Sequence, residues 1–210
     1  MTVNCKYHEC DYEKAVLELL QNQGWQYTGG YDIHRKNDEI LLKDDLQQYL
    51  TARYGVFSPD ELGRIAGYVV GGEHQSLYNN MKTAYTRLMR GYTLHRDDDT
   101  TLFIEFFDME DGHCSNIFRA VNQFEVDGYK RRIPDIVLFI NGIPVSVFEL
   151  KNPADEDVSI AEAYTQTHVR YCKDIPDLMR FDFINVISDG ANTKYGSLFS
   201  DYEFYFVWKS

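Results

Sequence analysis

The chain has 210 residues, 44% of them apolar and 26% charged, and a formal net charge of −12. That length supports one generous domain or two tight ones around a sizeable core, and the composition excludes a disordered or collagen-like chain. The charge argues against a protein that grips nucleic acid unaided, since non-specific affinity comes mainly from Lys and Arg contacts to phosphate.

In chain order, the four cysteines Cys5, Cys10, Cys114 and Cys172 show no C-x2-C spacing, so a structural zinc site is not indicated. CKYHEC (Cys5, His8, Cys10) is a minor metal candidate beside the plainer reading of reduced thiols. No apolar run is long enough to span a membrane and MTVNCKYHEC is not a signal peptide, which together predict a cytoplasmic protein. HECDYEKAVLELLQNQGWQY places Tyr12, Ala15, Val16, Leu19 and Leu20 at helical spacing, with Asp11 as N-cap and Gly24 as stop. A polar, turn-rich stretch follows. Further helices are predicted over LLKDDLQQYLTARYG, after the Ser58-Pro59 cap signal, and from about Gln75 to Arg90.

From Tyr92 the period changes. YTLHRD, TLFIEFFD, NIFRAVNQFEVDG, IPDIVLFI, IPVSVFELK and FDFINVIS read as strand-bearing segments, with a helix before the last. The expected fold is therefore α/β, a mixed central sheet flanked by helices with a helical insert at about residues 40–90. There is no G-x4-G-K-[ST] loop and hence no nucleotide site in this chain. His113-Cys114 has no nucleophile motif around it, and Glu105 and Asp108 are read as surface residues.

RRIPDIVLFINGIPVSVFELKNP, from Arg131 to Pro153, places three charges on an apolar hairpin. Asn141-Gly142 is a strong hairpin turn. Glu149 and Lys151 project from one face. A strict two-residue loop pairs Asp135 with Phe148 and puts it on the opposite face; one extra residue pairs it with Glu149. The chemistry that would unite them predicts a bulge at Asn141-Gly142-Ile143 or near Pro134. Two facing carboxylates repel in a bare sheet, but a divalent cation such as Mg²⁺ is held by one or two carboxylates plus waters and phosphates. Asp135 and Glu149 would be its ligands, with Lys151 orienting water or stabilising developing charge. An edge hairpin with three solvated charges is the bland alternative, and spacing alone leaves both open.

Pro134-Asp135, Glu149 and Lys151 resemble the PD-(D/E)xK nuclease signature. With FRAVNQFEVDG, EAYTQTHVRYCKDIPDL, FINVISDGANTKYGSL and FVWKS, they resemble the N-terminal nuclease domain of the restriction (R, motor) subunit of type I restriction enzymes. The resemblance implies a restriction-endonuclease-like fold over residues 1–210 as a single domain, a fragment whose motor domains would follow FVWKS. It implies Mg²⁺-dependent DNA hydrolysis without intrinsic sequence specificity, leaving 5′-phosphate and 3′-hydroxyl ends. It also implies a type I site-specific deoxyribonuclease complex that translocates DNA with ATP, and partners comprising DNA, the motor domains and the methyltransferase and specificity subunits.

The family carries Q-x3-Y after the E-x-K strand, whereas Gln166 and Tyr171 are Q-x4-Y. On a regular helix a spacing of five leaves two side chains about 140° apart. Either the helix bulges by one residue, or Gln166 pairs with Arg170, or His168 with Tyr171 takes the role. A further acid from the first helix is implied, Glu13 in preference to Glu9. Arg131 and Arg132 are candidate phosphate contacts, while Lys173 and Lys194 have no special claim. The rival readings are a catalytically dormant nuclease-fold module docking onto a motor domain, and a stand-alone metal-binding protein with no DNA role.

Overall fold

The computed structural model describes residues 7–72, 76–110, 114–151 and 159–208. Cys5 and His113, considered above, lie outside these, as does the metal reading of CKYHEC that depends on Cys5. Cys10 is in a disulfide, against the expectation of reduced thiols, while Cys114 and Cys172 are free.

Helix α1 (Tyr7–Asn22) begins before Asp11, which is therefore inside the helix rather than its cap. Gly24, at φ +92°, turns the chain out of it, a conformation open to a residue without Cβ. Tyr12, Val16, Leu17 and Leu20 pack against Ile136, Leu138, Phe148 and Leu150, whereas Leu19 is exposed. The apolar stripe is thus one residue narrower on one side than its spacing suggests.

Helices α2 (Lys43–Tyr54), α3 (Pro59–Val70) and α4 (Leu77–Arg90) follow a short strand β1 (Gln26–Gly29). Ser58 and Glu61 form a full capping box at the start of α3, satisfying two amide groups that a helix end leaves unpaired. Among the described residues, strands β2 (Tyr92–His95) and β3 (Thr101–Ile104) pair only with each other. Their inward residues, Leu94 and Ile104, join the core that Ile65 and Val69 of α3 share with Val137 and Phe139.

Among the described residues the central sheet has seven strands in the order β1, β4 (Phe118–Asn122), β5 (Ile136–Ile140), β6 (Ile143–Leu150), β7 (Ile184–Ser188), β8 (Thr193–Gly196) and β9 (Phe206–Val207). Pairs β1–β4 and β6–β7 are parallel and the rest antiparallel. This mixed sheet with flanking helices is the restriction-endonuclease-like architecture the sequence implied. Residues Ile136 to Phe139 of β5 are all buried, since α1 covers one face and the remaining helices the other. Each such side chain contributes about 1.5–3 kcal/mol by leaving water.

The β5–β6 turn contains only Asn141 (φ 53°) and Gly142 (φ 76°), with Ile140 opposite Ile143. It is buried against the helical region: the Asn141 amide donates to Phe106 O and Asn116 Oδ1, and its Oδ1 accepts from the Ile117 amide. Gly142 O accepts from the Leu42 amide, and a Cβ on Gly142 would lie 2.1 Å from Leu42 O. The extra residue is neither in this turn nor near Pro134. It is Val145, because Phe139 pairs with Pro144 and Leu138 with Ser146. The tightly docked turn leaves no room for a third residue, so the slip occurs inside β6. There, buried Asp182 accepts the Val147 amide at 2.8 Å and Val145 O accepts the Phe183 amide.

Candidate active site

The register beyond the bulge sets the site. Ile136 faces Phe148, so Asp135, one residue earlier, stands across from Glu149, one residue later. Strand alternation then puts Asp135, Glu149 and Lys151 on the face opposite α1. The Asp135 carboxylate accepts from the Leu150 amide at 2.7 Å, and its carbonyl accepts from the Gln123 amide.

Glu149, 1% exposed, is held by both oxygens. Its Oε1 accepts from Lys151 Nζ at 2.7 Å and its Oε2 from the Tyr171 hydroxyl at 2.8 Å. Lys151 Nζ also donates to Gln166 Oε1 at 2.9 Å, and Gln166 Nε2 donates to the Tyr171 oxygen at 2.9 Å. Glu149, Lys151, Gln166 and Tyr171 therefore form a closed hydrogen-bonded ring.

The helix that carries Gln166 makes this ring possible. Helix α5 (Ile160–Thr165) runs into a π-helical turn, Gln166–Tyr171, and on into α6 (Cys172–Asp174). A π turn bonds residue i to i+5 and inserts one residue into an α-helix. Residues five apart thus come onto one side, and Q-x4-Y achieves what a spacing of four would on a regular helix. Gln166 pairs with Tyr171, not with Arg170. His168 instead stacks on Tyr164, with ring centroids 4.5 Å apart.

Burial pushes the Asp135 carboxyl well above its ordinary range, with the Glu149 charge adding to the rise; the Leu150 amide and Lys151 oppose it. Although Asp135 keeps partial solvent access, its carboxyl is crowded by protein. Burial, then Glu149 and Asp135, also hold the Tyr171 hydroxyl well above its usual value, so it remains a proton donor to Glu149. Glu13 is buried and accepts from Asn122 Nδ2 at 2.5 Å and Gln123 Nε2 at 2.8 Å. Its charge adds slightly to the rise at Asp135, while its own hydrogen bonds go to Asn122 and Gln123 rather than to the pair. Nothing is described of the Glu9 side chain.

Among the described residues, no three His, Cys, Asp or Glu side chains gather into a metal cage. Two facing carboxylates, one of them paired with Lys151, do suit a divalent cation that draws its remaining ligands from water and phosphate. Asp135 Oδ1 has no hydrogen-bond donor among the described residues, which leaves it open to such a cation.

The paired arginines serve other ends. Arg131 binds Glu125 and Asp127, and Arg132 binds Asp174. Lys194 lies over the Tyr202 ring. Asp108, read as surface, is buried and accepts from the Ser115 and Glu110 amides beside Arg53; Glu105 is exposed and pairs with Arg53. Sequence reasoning missed Asn122 and Gln123, which fix Glu13, and Tyr12, whose hydroxyl lies 2.6 Å from Ser188 Oγ. Gln123 has φ 49°, an uncommon conformation that no periodicity signals.

A sequence profile of the family described as type I restriction enzyme R protein N terminus matches residues 6–204. The chain is 31% identical over 210 residues to the putative type I restriction enzyme MjaIXP endonuclease subunit of Methanocaldococcus jannaschii, covering 94% of this chain and 20% of that protein. It is 28% identical over 214 residues to the type I restriction enzyme HindI endonuclease subunit of Haemophilus influenzae, covering 96% and 20%. It is 34% identical over 206 residues to the type I restriction enzyme SsaAORF53P endonuclease subunit of Staphylococcus saprophyticus, covering 92% and 20%. The chain thus spans about a fifth of the length of these relatives.

Proposed function

The chain belongs to the family of type I restriction enzyme R protein N termini, and from that premise we propose that residues 1–210 are a single nuclease domain that hydrolyses DNA phosphodiester bonds without intrinsic sequence specificity. The observation that carries this reading is the placement of Asp135, Glu149 and Lys151 at one end of β5–β6, with Glu149 and Lys151 locked to Gln166 and Tyr171. In the longer subunit this domain would act beside ATP-driven motor domains and with methyltransferase and specificity subunits. No helix among the described residues is long and apolar enough to cross a membrane.

Asp135 and Glu149 would hold Mg²⁺, which when bound neutralises phosphate charge and makes water a better nucleophile. Tyr171 fixes Glu149 Oε2, and Gln166 fixes Lys151. Lys151 then presents an ammonium to the attacking water or to the non-bridging phosphate oxygen where charge develops. Attack at phosphorus breaks the bond to O3′ and leaves a 5′-phosphate and a 3′-hydroxyl. Glu13 orders the end of β4 through Asn122 and Gln123.

A second reading draws on the same ring. Both Glu149 oxygens already accept protein donors, so the Lys151–Glu149 pair must open before a cation can bind. This fits a domain that stays dormant until docked to its motor. Mg²⁺-dependent nicking of supercoiled plasmid separates the readings: wild type should nick and Lys151→Ala should not. Equal background cleavage by the two proteins would remove the catalytic reading of this chain.

A further inference from the structure

Between Val126 and Arg132, which bridge as an antiparallel pair, the chain forms a tight loop, Asp127-Gly128-Tyr129-Lys130-Arg131. Its shape is fixed from within and without. Arg131 folds back onto Asp127 and Glu125, each at 2.8 Å. Arg132 donates to Asp174 at the end of α6, and the Lys130 amide donates to Asp174 O at 3.4 Å. The loop is seated so closely on α6 that a Cβ at Gly128 would lie 2.3 Å from Asp174 O. The two arginines of the sequence motif are thus used up in building the loop.

What the loop presents is different. Tyr129 is 83% exposed. Lys130 beside it is exposed, as are Arg170 and Lys173 on the adjoining helix, and none of these three cations has an ion-pair partner among the described residues. Arg170, in the π turn, and Lys173, in α6, lie on the helical segment that ends at Asp174, which anchors the loop. The two segments both lead into the candidate site: Arg170 is followed by Tyr171, whose hydroxyl reaches Glu149 and lies 3.5 Å from Ile133 O, and the loop runs through Ile133 and Pro134 to Asp135. Uncompensated cations on the two segments that lead into the candidate site, on a chain of net charge −12, suit a polyanion.

We propose that Lys130, Arg170 and Lys173, with Tyr129, hold the sugar–phosphate backbone of the DNA strand that leaves the candidate site. This inference rests on the nuclease reading above. The lysines and arginine neutralise successive phosphates, and the Tyr129 phenol donates to a phosphate or packs on a sugar, contacts that position a duplex without reading its sequence.

The test is binding of a fluorescein-labelled duplex to the 210-residue chain, followed by anisotropy against salt, with Lys151→Ala as background so that no strand is cut. Nicking is scored separately with Lys151 intact, so loss of the catalytic reading leaves the binding result interpretable. Changing Lys130, Arg170 and Lys173 together to Gln should flatten the slope of log K on log salt by about 2.7, or 0.9 per lost phosphate contact. Tyr129→Ala should weaken binding about fivefold with the slope unchanged. The exposed pair Lys82 and Arg90 on α4, changed to Gln, should alter neither quantity. The proposal is overturned if the triple variant binds with the wild-type slope, if the α4 pair costs as much, or if the background protein does not bind duplex at low salt. It is also overturned if polyglutamate competes charge for charge as well as unlabelled duplex, which would assign these cations to an acidic protein surface.

Discussion

Replacing Asp135 by asparagine should make the protein more stable at neutral pH while removing its proposed metal site. Asp135 stands directly across from Glu149, and opposite residues have Cβ atoms about 5 Å apart. Two carboxylates at that separation repel by about 3 kcal/mol at the effective dielectric of about 20 that suits protein sites. Lys151 cancels part of this, and the Leu150 amide can still donate to the asparagine oxygen. A net gain of about 1–2 kcal/mol remains, or about 2–8 °C in Tm for a domain of this size. The pH dependence follows from the raised Asp135 carboxyl. Above its ordinary range, the folded wild type binds a proton that the unfolded chain has released, so stability falls as pH rises toward the shifted value. The advantage of Asp135→Asn should therefore be smaller near about pH 4 than near about pH 8, growing as the pH rises toward the shifted value. Millimolar Mg²⁺ should raise the wild-type Tm at the higher pH and leave the variant unmoved, because only a protein that binds the ion gains by mass action. Thermal melts at both pH values, with and without Mg²⁺, give the answer. A variant no more stable than wild type near neutrality, or equally favoured at both pH values, would refute the claim that Asp135 is held against burial and a facing charge.

Deleting exposed Val169 should turn the π turn into an ordinary α-helical turn and keep Gln166 opposed to Tyr171, about 40° apart at a spacing of four; plasmid nicking should persist within about tenfold, and its complete loss in a folded protein would contradict the reading of the π turn as a one-residue insertion. Asp182→Ala should cost about 2–3 kcal/mol in urea unfolding, because it strands the buried Val147 amide and the Asn185 side chain that the carboxylate now accepts. Burial pushes Asp182 up to about 7, so wild-type stability should also decline from the ordinary carboxylate range to about pH 7, and this variant should lack that part of the slope. Gly142→Ala should fail to accumulate as folded protein at 37 °C, by circular dichroism after expression, since its Cβ would collide with Leu42 O at 2.1 Å and the backbone there has positive φ.

Much of the fold was legible because its signals are local. Ser58-Pro59 with Glu61 announces a helix start, Asn141-Gly142 announces a tight turn, and the apolar runs of β5 and β6 announce buried strands. Strands β1, β8 and β9 went unread: each has four residues or fewer, and such segments are strands only because a neighbour supplies their hydrogen bonds. Asp108 looked exposed by composition but is buried, accepting from the nearby Glu110 and Ser115 amides and pairing with Arg53, which comes from a distant helix. Arg131 and Arg132 looked like phosphate ligands, yet their carboxylate partners claim them. The less conspicuous Lys130, Arg170 and Lys173 are exposed with no ion-pair partner among the described residues.

The sequence by itself determined which side chains can do chemistry: a strand alternation that puts Glu149 beside Lys151, an aspartate one turn of chain away, and a Gln and Tyr five apart on a helix. It could not decide whether they meet, because side-chain direction in a sheet reverses with a single residue of slip and in a helix rotates by about 100° per residue. Those two decisions were made by packing. The turn at Asn141-Gly142 is pressed against Leu42 and cannot lengthen, so the slip moved to Val145, and the helix took up its extra residue as a π turn. Only tertiary contact fixes both choices, and both leave Asp135, Glu149, Lys151, Gln166 and Tyr171 on the same side.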